Sequence, residues 1–447
     1  MVRPGRRILA TCTLVAGFLA VPSIFAGQVT DAASPASWTV FVANWNDATV
    51  SPVDVATKVA GTPITVQSSP DGIAVTPDAA TVFVANFGSQ SVTPIDAETK
   101  TAGPNISVPG IPEGVAVTPD GATVFVTLTS GGTVIPIDVA TKTAEAPIPV
   151  PAGAVSAIAI TPDGTTAFVT DDSGGTVIPI DLATRTAGTP IAVGMNPDGP
   201  AITPDGTTVF VANVGSNTVT PIDVATRTAG TPIPVGSDPN TVAITPDGAT
   251  ALVANGAPDN SVVPIDVATR SVGAPIPVGP NPSAIAITPD GASAFVGNFA
   301  LAGAQTTIVP IDLATRSAGP AITVGSNPDA LAITPDQAPV AKLAVTPGVA
   351  GQPTSFDASA STVRFGTITS YAWDFGDGSA PVTTSTPTTT HVYAAAGSYV
   401  AKVTETDSAG TSTTKVFTGQ TMSRRGDPSA VATAPVQILA VVPRFTG

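Results

Sequence analysis

The chain repeats one pattern of short apolar runs and turn residues. Apolar side chains dominate Thr39–Asn44 (TVFVAN), and the same six residues recur at 81–86 and 208–213. Close variants begin at Thr123, Thr166, Thr250 and Ser293. Runs rich in Val, Ile, Thr and Phe, bounded by Gly, Pro, Asn and Asp, predict strands. The pattern therefore predicts short β-strands joined by tight turns and disfavours a helical protein.

Two Asp-terminated triplets mark the period of the repeat. A Pro-Ile/Val-Asp triplet ends at Asp54, Asp96, Asp138, Asp181, Asp223, Asp266 and Asp312. A Thr-Pro-Asp triplet ends at Asp78, Asp120, Asp163, Asp205, Asp247, Asp290 and Asp336. Steps of 42 or 43 residues, with one of 46, and four β-rich runs per step are typical of propeller blades. A β-solenoid is the alternative, but its coils are usually shorter.

The order of strands at the two ends of the series predicts how the ring closes. The series begins with a second strand at Val40–Ala43 and ends with a first strand at Ala330–Thr334. The last strand can then complete the first blade, which removes the open edges of the sheet. We therefore expect residues 38–337 to form a closed, seven-bladed, all-β propeller.

A proline falls inside the third strand of every repeat. These prolines are Pro52, Pro94, Pro136, Pro179, Pro221, Pro264 and Pro310. Because proline has no N–H to donate to a ladder, we expect either a bulge there or a backbone position that faces away from the pairing.

These repeats resemble the YVTN family of β-propeller repeats, which occur in surface-layer and other secreted proteins. The family's tetrad appears as Phe41–Asn44, as Phe83–Asn86 and again at 210–213. A Thr/Ser-Val-x-x-Ile/Val-Asp strand and a Thr-Pro-Asp-Gly hairpin follow it, as in the family. The resemblance implies a propeller with a cell-surface or extracellular role in protein or carbohydrate recognition.

A second domain is expected beyond Asp336, where the period stops. The segment Tyr371–Gly378 (YAWDFGDG) resembles the signature of the PKD domain, an immunoglobulin-like β-sandwich. His391–Tyr393, Gly397–Tyr399 and Thr404–Asp407 are similar to the second half of that family's pattern. We place this PKD-like sandwich at residues 340–442, with a final strand within Val436–Val442.

The first residues have the features of a secretory signal peptide. Arg3, Arg6 and Arg7 precede the largely apolar run 8–20, and small residues follow, which is the order of a cleaved signal. We expect a signal peptide at 1–26 and a linker at 27–37, with cleavage after Ala26 or Ala36 both possible. A membrane anchor is the alternative, but a span needs about 20 apolar residues and Pro22 interrupts this one.

Composition and charge narrow the range of partners. Apolar residues make up 43% of the 447, which excludes disorder of the low-hydrophobicity kind, and the net charge is −15. Such a chain repels nucleic acid and anionic lipid surfaces. The only cysteine, Cys12, lies in the predicted signal, so the mature protein forms no disulfide. We expect a secreted or cell-surface monomer without a membrane span.

Residue types limit the chemistry of the two domains. The propeller repeats contain no His and no Cys, which excludes His-ligated metals and Ser-His-Asp triads there. The single His391 lies in the PKD-like motif, where we expect a structural role. Asp374 and Asp377 could bind Ca²⁺, although turns held by Asp side chains explain them more simply. The two Asp series are likewise expected to cap turns.

One position in the repeat is a candidate ligand site. The residue seven before the Asp of Thr-Pro-Asp is polar in every copy: Asp71, Glu113, Ser156, Asp198, Asn240, Ser283 and Asp329. In YVTN-type blades this position would ring the mouth of the central channel. Carboxylates there could bind Ca²⁺ weakly or accept hydrogen bonds from a glycan. The alternative is that these residues are ordinary polar loop residues, and no other metal or cofactor is expected.

The expected function is non-enzymatic binding or adhesion to an extracellular protein or glycan. Trp45, Phe87 and Phe299 follow second strands, where they would either serve binding or pack beneath loops. A propeller hydrolase, lyase or lactonase that uses channel carboxylates is the alternative; it is disfavoured because a general base near neutral pH is usually His. A purely structural envelope protein is a third possibility.

Overall fold

The computed structural model describes residues 37–151, 153–299, 306–413, 416–417 and 422–441. The expected signal peptide and all but the last residue of the expected linker lie outside these residues. Within them, strands dominate and three short 3₁₀ helices occur, at Phe87–Ser89, Val214–Ser216 and Pro428–Ala430. The all-β prediction is confirmed.

Seven antiparallel sheets form the first part of the structure, and each is one blade. We number the blades from the one that contains Thr39. The innermost strands of blades 1 to 7 are Pro328–Ile333, Pro70–Val75, Pro112–Val117, Val155–Ile160, Pro197–Ile202, Pro239–Ile244 and Pro282–Ile287. The second strands are Thr39–Asn44, Thr81–Asn86, Thr123–Leu128, Thr166–Asp171, Thr208–Asn213, Thr250–Asn255 and Ser293–Asn298.

The third strands and the outer edges complete the blades. The third strands are Thr49–Asp54, Ser91–Asp96, Thr133–Asp138, Thr176–Asp181, Thr218–Asp223, Ser261–Asp266 and Thr307–Asp312. The outer edge of most blades is a pair of two-residue strands: Val59–Ala60 and Ile64–Thr65, Thr101–Ala102 and Ile106–Ser107, Thr143–Ala144 and Ile148–Pro149, Thr186–Ala187 and Ile191–Ala192, Thr228–Ala229 and Ile233–Pro234, and, in blade 7, Ser317–Ala318 and Ile322–Thr323. Blade 6 has Ile276–Pro277 and an isolated bridge from Ile265 to Val272.

Blade 1 is assembled from the two ends of the propeller. Its inner strand, Pro328–Ile333, pairs antiparallel with Thr39–Asn44, so that Val40 lies opposite Ile333 and Val42 opposite Leu331. The innermost strands contact one another in cyclic order from blade 1 through blade 7 and back. The sequence-based prediction of closure by the last strand is therefore confirmed.

The third-strand prolines lie opposite a break in the outer edge of each blade. The second and third strands pair without a bulge, and Phe41 lies opposite Pro52. The carbonyl of Pro52 points outward and accepts a hydrogen bond from the Gly61 N–H at 2.7 Å. In an antiparallel strand the N and C=O of one residue point to the same side, so the proline nitrogen also faces outward, into the gap between the two short outer strands. All seven blades repeat this arrangement. Each proline thus lies at a backbone position that faces away from the pairing, as one of the two expectations held, and not at a bulge.

The hydrophobic core lies between neighbouring blades. Val82 and Val84 pack against Phe41 of blade 1, whereas Phe83 and Ala85 pack against blade 3. Both faces of each sheet are thus buried, with alternate side chains of one strand serving two separate interfaces. A basic residue in the turn after the third strand adds a contact to the preceding blade. Lys100 lies 4.6 Å from the Phe41 ring centroid.

The second part is a β-sandwich. A three-stranded sheet contains Ala344–Val345, Pro353–Asp357 and Thr388–Val392, and a five-stranded sheet contains Gly348–Val349, Val431–Leu439, Gly397–Asp407, Ile368–Asp374 and Val382–Thr384. A smaller sheet joins Asp336–Gln337, Met422–Arg425 and Val416–Phe417. Phe356, Trp373, Phe375 and Tyr393 are almost fully buried between the two larger sheets. The last strand begins earlier than the expected Val436.

Asp336 departs from the other members of its series. The other Thr-Pro-Asp carboxylates accept hydrogen bonds within their own hairpins, as when Asp78 accepts the Ala80 N–H at 3.0 Å. Asp336 is fully buried and instead accepts from Trp38 Nε1 at 3.2 Å and Thr411 Oγ1 at 2.6 Å. The expectation of a turn-capping role is wrong for Asp336, because the chain leaves the propeller there and no hairpin follows.

Candidate functional site at the channel mouth

A bulge places the candidate residues at the start of each inner strand. In blade 2, Pro70 pairs with Asn86 and the next paired residue is Ile73, so Asp71 and Gly72 lie outside the regular ladder. A register shift occurs in the same stretch of all the other blades, although in blade 5 Asp198 still pairs with Ala212 and the shift follows it. A bulge redirects the side chain that it carries. Here it occurs where the inner strands reach the mouth of the channel.

The structure brings all seven candidate residues together. They line one cavity of about 380 Å³, and we call them the inner ring: Asp71, Glu113, Ser156, Asp198, Asn240, Ser283 and Asp329. The cavity volume lies within the roughly 300–1,000 Å³ range of small-molecule sites. The position expected from the repeat pattern is therefore a single convergent site in space.

Close approach of the inner strands explains the glycines that follow three of the acidic residues. A Cβ on Gly72 would lie 2.0 Å from the carbonyl oxygen of Glu113, and one on Gly114 would lie 2.5 Å from that of Ser156. Any side chain would force the neighbouring backbone away. The glycines thus allow adjacent ring members to approach closely.

Burial raises the pKa values of all four acidic members, and neighbouring carboxylates add to the shift in three of them. Burial, followed by the charges of Asp329, Glu113 and Asp198, raises the pKa of Asp71 well above its usual value. Burial and neighbouring carboxylates raise the pKa of Glu113 to about 8. The pKa values of Asp198 and Asp329 rise to about 7, mainly through burial. The inner ring is therefore partly protonated near neutral pH, so that it presents both hydroxyl donors and carboxyl acceptors.

The ring members differ in their hydrogen-bond partners. Asn240 Nδ2 donates to the Pro282 carbonyl at 3.2 Å, and Ser283 Oγ donates to the Pro328 carbonyl at 3.3 Å, so both are tied to the next blade. No group among the described residues donates a hydrogen bond to the side chains of Asp71, Glu113 or Asp329. These three half-buried carboxyls are available to molecules in the channel.

A second set of residues surrounds the inner ring, and we call it the outer ring. Each member donates its backbone N–H to the carbonyl of the residue two before an inner-ring member, as Trp45 does to Asn327 at 2.9 Å and Phe87 to Ser69 at 2.9 Å. The members in blades 1 to 7 are Trp45, Phe87, Thr129, Asp172, Val214, Gly256 and Phe299. The three aromatic residues whose location the sequence left open are therefore half-buried and anchored next to the inner ring, and Phe299 also lines the cavity.

Asp172 is a member of the site that sequence reasoning missed. Its Oδ1 accepts a hydrogen bond from Ser156 Oγ at 2.6 Å. Burial raises its pKa, the Ser156 bond opposes that shift, and Asp171 adds to it. Its charge also contributes to the raised pKa values of Glu113 and Asp198. The signal was present in the sequence, because Asp171-Asp172 stands where blades 1 and 2 have Asn followed by an aromatic residue.

The Pro-Ile/Val-Asp carboxylates lie at the opposite end of the blades and cap turns. Asp223 accepts the Thr226 N–H at 2.7 Å and the Thr226 hydroxyl at 2.7 Å. These bonds lower its pKa. Equivalent backbone bonds form at Asp54, Asp96, Asp138, Asp181, Asp266 and Asp312. The expected turn-capping role of this series is observed.

The acidic residues of the sandwich are also engaged locally. Asp374 accepts the Gly376 N–H at 3.1 Å, and Asp377 accepts the Ser379 N–H at 3.0 Å and contacts His391 Nε2 at 2.7 Å. Burial opposes but does not outweigh these bonds, which lower the pKa of Asp377 to about 2. His391 also stacks on Phe375 with ring centroids 4.0 Å apart. These contacts hold a turn.

The described residues contain neither a cluster of metal-binding side chains nor a membrane-spanning helix. Over the described part of the chain, no three His, Cys, Asp or Glu side chains are gathered closely enough to hold a metal ion. The inner-ring carboxyls are instead distributed around the channel. None of the helices in the described ranges has the length and apolar character needed to cross a membrane.

Comparison with known proteins agrees with this architecture. The sequence profile of a YNCE-like β-propeller matches residues 1–139, and that of a PKD domain matches residues 336–421. No curated protein sequence is significantly similar to the chain.

Solved structures share the fold at low sequence identity. Hydrazine synthase of Kuenenia stuttgartiensis is 23% identical with a TM-score of 0.56, over 66% of this chain and 99% of that one. A functionally unknown protein of Desulfotomaculum acetoxidans is 17% identical with a TM-score of 0.56, over 65% and 98%. A candidate 6-phosphogluconolactonase of Bacteroides uniformis is 15% identical with a TM-score of 0.57, over 67% and 99%. At these identities the similarity establishes the fold alone.

The blades, their closure and the sandwich define a seven-bladed β-propeller followed by an immunoglobulin-like domain. The family matches support the expected resemblance. Residues 1–139 are similar to YNCE-like β-propellers and residues 336–421 to PKD domains.

Proposed function

We infer that the chain is a secreted or cell-surface protein that binds an extracellular ligand, without catalysis, at the mouth of its propeller channel. The observation that carries this proposal is the inner ring, in which three half-buried carboxyls with no donor among the described residues face one cavity. PKD domains occur in extracellular proteins, which supports the location. We expect a monomer that recognises a glycan or an extracellular protein.

The chemistry of the ring favours a polyhydroxylated ligand over a metal ion. Protonated carboxyls donate to and accept from hydroxyl groups. Calcium requires six to eight oxygen ligands around one point, and among the described residues the carboxyls are not gathered in that way. Binding of Ca²⁺ alone is therefore expected to be weak.

Thermal melting of the full chain with a glycan panel, and separately with Ca²⁺, tests the proposal. A ligand that binds only the folded state raises the melting temperature with its concentration. We expect such a shift in the native protein and its loss in Asp71→Asn/Asp198→Asn/Asp329→Asn. The matched control is Asp54→Asn/Asp96→Asn/Asp312→Asn, which makes the same three substitutions at the opposite end of the blades. No shift with any ligand, or equal shifts in all three proteins, would contradict the proposal.

A second candidate function is favoured by the pKa values of the ring. Carboxyls with pKa values of about 7 to 8, as at Asp198 and Glu113, can act as general acids or bases near neutral pH without a histidine. A hydrolase, lyase or lactonase could use them. Turnover of glycoside or lactone substrates, abolished by Glu113→Gln, would establish this alternative over simple binding.

A further inference from the structure

The three aromatic members of the outer ring are neighbours around the channel. Phe299 lies in blade 7, Trp45 in blade 1 and Phe87 in blade 2, and we call them the aromatic arc. The ring centroids of Trp45 and Phe87 are 5.2 Å apart. Phe299 lines the same cavity as the inner ring. One side of the outer ring is therefore aromatic, whereas the four remaining positions hold Thr129, Asp172, Val214 and Gly256.

The fold does not require aromatic side chains at these positions. The same backbone hydrogen bond anchors every outer-ring residue, at 2.9 Å for Thr129 and 2.8 Å for Gly256. A glycine or a threonine therefore satisfies the local structure as well as a tryptophan does. Each arc residue is only half-buried, and Phe299 lines the cavity itself, so part of the arc stays accessible although the backbone does not require aromatic residues there.

The arc lies beside unpartnered members of the inner ring. Trp45 is anchored to Asn327, two residues before Asp329, and Phe87 is anchored to Ser69, two residues before Asp71. The site thus combines an apolar aromatic surface with carboxyls that have no hydrogen-bond donor among the described residues. A ligand that fits this combination needs an apolar face and a rim of hydroxyl groups.

A pyranose ring has both features. Its C–H groups form an apolar face that packs against the electron-rich face of an aromatic ring, and its hydroxyls donate and accept in the plane of the sugar. A metal ion has no apolar face, and an anionic sugar would be repelled by a chain of net charge −15. We propose that the channel mouth binds a neutral oligosaccharide, with one sugar ring against Trp45 and Phe87 and its hydroxyls on Asp71 and Asp329. This inference rests on the proposed binding function.

Calorimetric titration of the full chain with neutral oligosaccharides tests the inference. The probes are cello-, manno-, xylo- and chito-oligosaccharides, and an anionic galacturonate oligomer serves as the charged comparison. We expect at least one neutral probe to bind and the galacturonate oligomer not to bind. Trp45→Ala and Phe87→Ala should each weaken binding by roughly tenfold, the order expected for loss of one aromatic contact. The matched control Val214→Ala, at the equivalent position of blade 5, should bind as the native protein does.

Fluorescence provides a second readout that does not depend on stability. Of the three tryptophans, Trp373 is only 1% exposed and lies in the sandwich, Trp38 donates a hydrogen bond to Asp336, and Trp45 lies at the proposed site. The bound sugar should change the emission of the native protein. The Trp45→Phe variant should lose that change but keep most of its affinity, because the platform remains aromatic.

The outcomes separate this inference from the proposed function. If a ligand binds in a manner abolished by the inner-ring variant but unaffected by Trp45→Ala and Phe87→Ala, the aromatic arc is not a sugar platform and only the general binding function remains. If neither neutral sugars nor Ca²⁺ bind, both proposals are overturned. Binding of the galacturonate oligomer in preference to the neutral probes would contradict the assignment of a neutral ligand.

Discussion

Removing one inner-ring charge should stabilise the protein, and the gain should grow with pH. The pKa of Asp198 rises from 3.8 to about 7, mainly through burial and through the charge of Asp172. A raised pKa means that the folded state binds the proton more tightly than the unfolded state does. The proton on Asp198 therefore stabilises the folded state at low pH, and this stabilisation is lost as the pH rises through the folded-state pKa. Asp198→Asn removes this loss and keeps an oxygen to accept the Gly199 N–H, which lies 2.7 Å away.

The magnitude follows from the size of the pKa shift. At about 1.4 kcal/mol per pKa unit, a rise of about three units corresponds to roughly 4 kcal/mol above neutral pH. Water in the channel and proton sharing with the other carboxyls reduce this figure. We therefore expect the free energy of unfolding of Asp198→Asn to exceed that of the native protein by about 2 kcal/mol at about pH 8.5. At about pH 4 the native protein and the variant should be nearly equal.

Denaturant unfolding at several pH values measures this difference. Asp223→Asn, in the same blade, is the control, because its backbone and hydroxyl bonds to Thr226 lower the pKa of Asp223. The Asp223 charge stabilises the folded state above the pKa that this group has in the unfolded state. Asp223→Asn should therefore lower the free energy of unfolding, whereas Asp198→Asn should raise it. If Asp198→Asn gave no gain at about pH 8.5, or a gain independent of pH, the view of the ring as a strained, proton-holding cluster would be refuted.

Three further outcomes are expected. Truncation after residue 325, which removes the inner strand of blade 1, should abolish cooperative melting of the propeller, whereas truncation after residue 338 should preserve it; similar melting of both fragments would argue against closure by this strand. Arg270→Met should lower the free energy of unfolding by about 1 kcal/mol in a denaturant titration. The reason is that the Arg270 guanidinium lies 4.6 Å from the Phe210 ring centroid in the preceding blade. An unchanged midpoint would show that this contact contributes nothing. The bonds that lower the pKa of Asp377 to about 2 stabilise the sandwich above about pH 4, and this stabilisation is lost as the pH falls towards 2. His391→Ala should therefore reduce the stability of the sandwich at neutral pH. An unchanged unfolding transition in Trp373 fluorescence would contradict this.

The repeat pattern was sufficient to predict the blades, their closure and the composition of the inner ring. Each of these depends on local sequence or on a fixed period. Thr39–Asn44 is a nearly continuous apolar run because both faces of its sheet are buried, and Asp71 lies at a register shift near the start of its inner strand, as its counterparts do in the other blades. A period of this kind maps directly onto equivalent positions around an axis.

Other features depend on spatial neighbours that the period does not reveal. The accommodation of Pro52 depends on the outer strand being broken opposite it. The role of Asp172 depends on its distance from Ser156, a residue of the inner strand. The raised pKa of Asp71 depends first on burial and then on carboxyls that converge from three other blades. Asp336 acquires partners from two distant segments of the chain.

Hydrogen–deuterium exchange of the full chain, with and without the tightest-binding neutral oligosaccharide, tests the central claim most directly. If the channel mouth is the binding site, exchange should slow in segments 44–47, 68–73 and 326–331, which carry the aromatic arc and the adjacent inner-ring residues. Exchange in the turns at the opposite end of the blades, such as 54–58, should not change. Protection confined to those turns or to the sandwich would contradict the account.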